Sequence, residues 1–181
     1  MPQDTAPTIP RVPPALAAAL GLLPRTPVAL ALERTVRRIA VAHPGLIRRL
    51  GPHDRARFVL DPTDLPFVIC LEPNGGDVRV GVCGRPGQGT TRIAGPLAAL
   101  LGLVHGAYDG DALFFSRDLV IEGDTAAALA LRNAVDDAEI DLSGEIARLS
   151  GPFAGPVRRL AGVAERMTGV SLSRPEEIGA W

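Results

Sequence analysis

The sequence predicts an α+β fold in which about five β-strands form one sheet, helices cover one face of it, and amphipathic helices flank this unit. Three patterns carry the prediction. Apolar residues alternate with period two in the middle of the chain, recur at helical spacing before and after it, and fill one segment almost completely. With 181 residues, of which 46% are hydrophobic, the chain is long enough for one packed domain with additions.

The first element is a proline-rich stretch, residues 1–14, which has no hydrophobic periodicity and is expected to be a disordered or extended leader. Residues 15–50 form a predicted N-terminal helical segment. Its main helix is amphipathic, and a shorter helical piece follows from Leu46 to Leu50 before Gly51 and Pro52 end it. The apolar positions of the main helix are Val28, Leu32, Val36 and Ile39.

The middle of the chain predicts a β-hairpin. Residues 67–72 and 78–83 alternate between apolar and other side chains, and Asn74 and Gly75 between them are typical of a two-residue type I′ turn. That turn would keep the apolar side chains of both strands on one face. The pairs it predicts are Ile69 with Val80, Leu71 with Val78, and Cys70 with Arg79.

Three further strands are predicted with weaker patterns, at Arg57–Leu60, Thr90–Ala94 and Asp118–Glu122. Between the last two, Pro96–His105 is apolar nearly all round, which is typical of a helix buried on several sides.

A helix is also predicted after the last strand. Gly123 permits a tight turn, and either Asp124 or Thr125 can cap the helix by accepting hydrogen bonds from its first N–H groups. Residues 143–181 are predicted to form a C-terminal amphipathic helix, at Phe153–Met167, and a tail. The arginine-rich faces of the flanking helices fit either a solvated surface or contact with anionic lipid headgroups.

The composition argues against several classes of function. The chain has no lysine, which excludes a Schiff-base lysine and a phosphate-loop lysine. A net charge of −1 gives no general attraction to nucleic acid. Cys70 and Cys83 are not arranged as a zinc motif, and the histidines are too scattered for a catalytic pair. We therefore expect no catalytic residue, no metal and no cofactor.

The cellular location is predicted from the N-terminus and the cysteines. The apolar run Ala15–Leu23 is too short to span a bilayer and lacks the charged leader of a signal peptide. A hairpin with Cys70 opposite Arg79 would leave the cysteines as two buried thiols in a reducing compartment. We expect a cytoplasmic protein, with peripheral contact at the inner membrane left open.

The segment Asp111–Leu142 reads DALFFSRDLVIEGDTAAALALRNAVDDAEIDL: an aromatic pair, a strand, a Gly-Asp turn and a helix. The segment resembles the sterol carrier protein type 2 domain. Two sequence motifs within it, FFSR-LVIEGDT and LRNAVDDAEIDL, are similar to those of the UbiT family, the accessory factors of oxygen-independent ubiquinone biosynthesis. The broader resemblance covers about residues 45–142, and only this segment is specific. It implies a lipid-binding domain at 51–142 that encloses an apolar tunnel.

The resemblance also implies where lipid would bind. The apolar side chains expected to converge on the helix-covered face are Ile69, Val80, Leu97, Leu100, Leu101, Val104, Phe114, Phe115, Leu119, Ile121 and Leu131. The pattern alone favours an ordinary packed core, and only the resemblance favours a lipid tunnel in this place.

The function implied is that of a non-enzymatic accessory protein that sequesters the prenyl tail of ubiquinone intermediates. Its ligand would be an isoprenoid quinone precursor or a phospholipid, and its partners peptidase-like iron–sulfur hydroxylases of that pathway. Two alternatives stay open: a general phospholipid, sterol or fatty-acyl carrier, and a fully packed assembly module that docks biosynthetic partners without binding lipid.

Overall fold

The fold is taken from a computed structural model that describes residues 9–85, 87–105 and 118–138. The helices within these ranges are α1 (Pro14–Gly21), α2 (Arg25–Ala42), α3 (Gly45–Leu50), α4 (Leu97–His105) and α5 (Thr125–Ala138). The strands are β1 (Phe58–Pro62), β2 (Val68–Glu72), β3 (Arg79–Cys83), β4 (Thr91–Gly95) and β5 (Val120–Gly123). The predicted C-terminal helix at Phe153–Met167 lies outside the described residues.

The five strands form one mixed sheet in the order β3-β2-β1-β4-β5. The β1–β4 pair is parallel, and the other three pairs are antiparallel. The predicted α+β class with a five-stranded sheet is therefore confirmed. The sequence patterns located the strands to within two residues, whereas their order in the sheet came only from the structure.

The predicted register of the β2–β3 hairpin is wrong by two residues. Asn74, Gly75 and Gly76 form a short 3₁₀ turn with φ values of 47°, 66° and 112°, so the connection is longer than a two-residue turn. Because the observed register differs from the predicted one by an even number of residues, every side chain stays on its predicted face of the sheet. The observed pairs are Ile69 with Val82, Leu71 with Val80, and Cys70 with Gly81.

The main core lies on one face of the sheet, which we call the helix face. One buried cluster joins Ile93 of β4, Leu119 and residues of α4 and α5. A second joins Phe58 of β1, Leu50 of α3 and two alanines of α5. Leu131 of α5 packs against both clusters, so α5 is the helix that links the two halves of the core.

The turn from β5 into α5 has the geometry predicted for it. Gly123 has φ +86°, and a Cβ atom there would lie 2.4 Å from the backbone oxygen of Thr90. Asp124 caps α5, since its Oδ1 accepts a hydrogen bond of 3.0 Å from the backbone N–H of Ala127.

Residues 9–13 of the predicted leader have neither helix nor strand, and they are held against the domain. Val12 is buried, and its backbone N–H donates to Oδ2 of Asp64 at 2.9 Å. Ile9 packs against the core cluster around Ile93, and helix α1 already begins at Pro14. Apolar burial and one long-range hydrogen bond hold residues 9–13 against the domain. A proline-rich sequence without hydrophobic periodicity could not reveal these contacts.

Helix α2 covers the free edge of β3. The Oε2 atom of Glu33 accepts from the backbone N–H of Val80 at 3.1 Å, and Nε of Arg37 donates to the carbonyl of Val78 at 2.8 Å. These contacts satisfy edge groups that would otherwise be free to pair with another chain.

The opposite face of the sheet contains a buried carboxylate. Asp61 is 1% exposed, and its two oxygens accept from Nε of Arg85 at 2.8 Å and Nε of Arg92 at 3.0 Å. Burial raises the pKa of the Asp61 carboxyl, but the hydrogen bonds and charges of the two arginines outweigh it, so the pKa is below its usual value.

Candidate functional site

The predicted lipid contacts divide into three groups in the structure. The first is a buried group on the helix face. Leu100 and Leu119 are in one core cluster with Ile93, and Ile121 and Leu131 pack against that cluster. These four predicted residues are brought together, and Ile93 belongs with them although the sequence argument did not name it.

The second group lies on the hairpin and on α4. Val80 is buried next to Leu71, whereas Ile69 is only half-buried. Leu97 and Leu101 of α4 are also half-buried.

The third group lies outside the described side chains. Phe114 and Phe115 are outside the described residues, and Val104 is placed by its backbone in the last turn of α4. The lipid site therefore remains a prediction for these positions.

A row of half-buried apolar side chains crosses the helix face. Leu60 of β1 pairs with Ile69 of β2, which pairs with Val82 of β3. Directly paired residues project to the same face, so these three side chains are neighbours. All three are half-buried, whereas Phe58, two residues from Leu60, is fully buried. This central apolar row is less completely covered than the core beside it.

The row ends at a cleft of about 100 Å³, because Val82 also forms part of its wall. We call this the α1–β3 cleft. Its lining comes from four separate parts of the chain: the end of α1, the start of α2, the β1–β2 connection and β3. The lining residues are Leu20, Gly21, Leu23, Arg25, Val28, Pro66, Phe67 and Val82.

The cleft is mainly apolar. Arg25 is its one ionisable lining residue, which fits a site where a hydrocarbon chain enters and an anionic or polar group remains at the rim. Sequence reasoning missed this site. The available signals were Val28, Phe67 and Val82, which the patterns placed at apolar positions of separate elements without bringing them together.

No polar constellation suited to catalysis accompanies the cleft in the described part of the chain. Among those residues, no group of three or more histidine, cysteine or acidic side chains is placed to hold a metal ion. His53 Nδ1 lies 3.5 Å from Oδ2 of Asp124, a pair that the sequence did not reveal. Asp124 also caps α5, and neither residue lines the cleft, so the pair serves the helix terminus.

The surface around the cleft is apolar and basic. Helix α1 has no buried residue, and Leu22 and Leu23 after it are 87% and 49% exposed. Residues 14–42 contain four arginines and one glutamate, in a chain whose net charge is −1. Leu30 and Val41 on α2 are 47% and 82% exposed. We call α1, α2 and the turn between them the exposed arm.

Neither helix of the arm meets the requirements for a membrane-spanning helix by itself. None of the single helices in the described ranges is long and apolar enough to cross a membrane. Helices α1 and α2 meet the length and composition requirement only when taken together, and they are bent by 98°.

Comparison with known proteins gives a family and a fold. Residues 42–136 match the family model described as the SCP-2 sterol transfer family. A solved UbiJ-SCP2 ubiquinone synthesis protein superposes with a TM-score of 0.52 at 18% identity, covering 65% of this chain and 96% of that one. No protein of curated function matches the sequence.

Two other solved structures are less similar. Sterol carrier protein 2 from Yarrowia lipolytica in its apo form has a TM-score of 0.43 at 17% identity, with 60% of this chain and 89% of that chain covered. A possible sterol carrier protein from Thermus thermophilus has a TM-score of 0.45 at 15% identity, with 61% and 85% covered. The fold comparison therefore rests on the first structure.

Proposed function

The chain belongs to the SCP-2 sterol transfer family, and from this premise we propose that it is a non-enzymatic lipid-binding accessory protein. The observation that carries the proposal is the central apolar row of Leu60, Ile69 and Val82, whose last residue, Val82, also lines the apolar α1–β3 cleft. A hydrocarbon chain lying there would be removed from water without any polar recognition. Each CH₂ group buried in this way contributes about 0.8 kcal/mol.

The size of the cleft limits how the chain can bind. A volume of about 100 Å³ is smaller than the roughly 150 Å³ cavity that accepts a benzene molecule. Only a few carbon atoms fit unless the wall moves. The wall that moves at the lowest free-energy cost is α1, since none of its residues is buried. We therefore propose that α1 and the following turn separate from Phe67 and Val82 when lipid enters.

The finer proposal concerns which lipid is bound. The resemblance of residues 111–142 to UbiT-like factors supports the prenyl tail of a ubiquinone precursor, with iron–sulfur hydroxylases as the partners that receive it. Native mass spectrometry of the purified protein tests this proposal. A co-purified prenyl quinone supports it, a phospholipid or fatty acid supports the general carrier instead, and no bound lipid supports the packed assembly module.

A charge introduced into the cleft tests the site itself. Val82→Arg would place a guanidinium beside Phe67 and Arg25 that bound lipid would have to cover, which costs more than the 1.4 kcal/mol that equals a tenfold change in affinity. We expect displacement of a fluorescent fatty acid by a prenyl quinone to weaken at least about tenfold.

The matched control is Val120→Arg. Val120 is 49% exposed and pairs with Ala94. Ala94 follows Ile93, which is on the helix face, so Ala94 and Val120 both lie on the opposite face of the sheet. Equal binding by both variants, with circular dichroism unchanged, would exclude the cleft as the binding site.

We also propose that the protein works in the cytoplasm at an anionic membrane surface, which the exposed arm contacts. Leu22 and Leu23 supply apolar area for insertion, and the side chains of Arg34 and Arg38 make no ion pair with a described residue. A basic residue near such a surface contributes about 1 kcal/mol.

Co-sedimentation with vesicles tests the membrane proposal. Leu22→Glu should reduce binding to phosphatidylglycerol-containing vesicles, and phosphatidylcholine vesicles should bind the wild type less well. Leu129→Glu is the control, because Leu129 is 53% exposed on α5, away from the arm. Equal losses in the two variants would contradict docking through the arm.

A further inference from the structure

Two thiols meet on the face of the sheet opposite the helices. Cys70 of β2 pairs with Gly81 of β3, and Cys83 lies two residues further along β3 on the same face. The two Sγ atoms are 3.6 Å apart, although the residues are thirteen positions apart in the chain.

Gly81 lies beside both cysteines, opposite Cys70 and two residues before Cys83. A Cβ atom at this position would lie 3.9 Å from Sγ of Cys83 and 4.0 Å from Cβ of Cys70. These are ordinary contact distances, so the glycine leaves open the space of a side chain next to the two cysteines. A larger side chain there would occupy the path along which the sulfurs approach each other.

We propose that Cys70 and Cys83 form a redox modification site, which closes to an intramolecular disulfide by exchange with a low-molecular-weight disulfide such as oxidised glutathione. A disulfide bond is about 2.05 Å long, so the sulfurs must approach by roughly 1.6 Å. Cys70 and Cys83 are diagonal neighbours in the β2–β3 pair, so rotation of the Cys83 side chain together with a small shift of the two strands supplies that movement. The inference is independent of the proposed lipid binding.

The two cysteines differ in access, which sets the order of the steps. Cys83 is half-buried, whereas Cys70 is 4% exposed and packs with Val59 and Val68. Burial, together with the neighbouring Cys83 thiol, raises the pKa of the Cys70 thiol against the opposing effect of Arg57. Cys83 is therefore the thiol that meets the oxidant first.

The chemistry balances in two exchanges. The Cys83 thiolate attacks one sulfur of oxidised glutathione, which forms a mixed disulfide and releases one glutathione thiolate. The Cys70 thiolate then attacks Sγ of Cys83 and releases the second glutathione. The cysteines lose two electrons and two protons in total, and oxidised glutathione becomes two molecules of reduced glutathione.

The disulfide would tie β2 to β3 at the cleft end of the hairpin. Val82, next to Cys83, forms part of the cleft wall. A covalent link restricts the opening of the hairpin. Amide hydrogen exchange in residues 68–83 should therefore slow in the oxidised protein, and this readout requires no lipid.

The experiment uses the full reduced chain incubated with oxidised glutathione, quenched by alkylation and analysed by intact and peptide mass spectrometry. We expect a Cys70–Cys83 disulfide as the main product, with little mixed disulfide. Cys70→Ala should instead accumulate glutathione on Cys83, and Cys83→Ala should react more slowly than Cys70→Ala. Gly81→Val should lower the yield of the internal disulfide while keeping both thiols.

A further control needs no substitution: the wild-type chain is unfolded in urea and given the same reaction. Folding should raise the ratio of internal to mixed disulfide at least about tenfold, because the folded sheet holds the sulfurs together whereas the unfolded chain does not. An unchanged ratio overturns the proposal. So does a folded protein that stays reduced, forms only mixed disulfides or links two chains.

Discussion

Replacing Asp61 by asparagine should destabilise the protein by about 2–3 kcal/mol. The Asp61 side chain is 2% exposed, and the change removes a carboxylate that neutralises both Arg85 and Arg92. Breaking a fully buried ion pair costs about 3–5 kcal/mol. The expected cost is smaller here because the side chains of Arg85 and Arg92 are 36% and 31% exposed, and because Arg92 keeps Glu122 as a partner.

Urea unfolding at neutral pH, followed by far-ultraviolet circular dichroism, measures this loss. Glu122→Gln is the control, since it removes the other partner of Arg92 at a position where the carboxylate is 57% exposed. That variant should lose less than about 1 kcal/mol. If Asp61→Asn is within about 0.5 kcal/mol of the wild type, where ordinary surface substitutions fall, the buried network does not stabilise the fold as argued.

The wild type and Asp61→Asn also test the direction of the Asp61 pKa shift through the pH dependence of stability. The pKa of Asp61 is lowered in the folded state, so its contribution is complete above the unfolded value of about 3.9 and is lost as the pH falls through the folded value. The difference in unfolding free energy between wild type and Asp61→Asn should be constant near pH 7. It should shrink below about pH 4, whereas a difference that grows with acid would contradict the assigned direction.

Three further predictions concern the fold. Gly123→Ala should lower the free energy of unfolding in urea by about 2 kcal/mol or more, since it adds positive-φ strain and places Cβ 2.4 Å from a backbone oxygen. Gly76→Ala is the control and should cost less, because its Cβ meets open space. Leu100→Ala should cost about 2–4 kcal/mol, because Leu100 is 8% exposed; a loss below 1 kcal/mol would indicate a loosely filled interior. Glu33→Ala should cost about 1 kcal/mol and increase light scattering, because the N–H of Val80 at the β3 edge loses its acceptor; unchanged scattering would contradict the edge role.

Much of the fold could be predicted from local patterns. Alternation located β2 and β3, and the Gly-Asp-Thr run before α5 predicted a tight turn at Gly123 and a cap at Asp124 or Thr125, of which the structure has Asp124. The hairpin register could not be obtained in this way. An Asn-Gly pair is compatible with several turns, and the choice among them depends on backbone angles that the neighbouring strands impose.

The candidate site was only partly predictable. The structure packs four of the predicted lipid contacts, Leu100, Leu119, Ile121 and Leu131, in or against one core cluster, and their contact with lipid stays a prediction. The sequence pattern could not find the cleft, whose walls include Val28 and Phe67 as well as Val82. Local periodicity shows which face of an element is apolar, but not which distant element leaves that face uncovered.

The amino-acid sequence alone determined the α+β class, the strands, the capped α5 and the family, because these depend on side-chain periodicity, backbone preference and a specific segment. The tertiary structure decided the strand order, the α1–β3 cleft, the Asp61 network and the approach of Cys70 to Cys83. Each of these joins residues that are far apart in the chain. Their proximity results from the packing of the whole domain, which optimises burial and polar pairing together, and no local window of sequence contains that information.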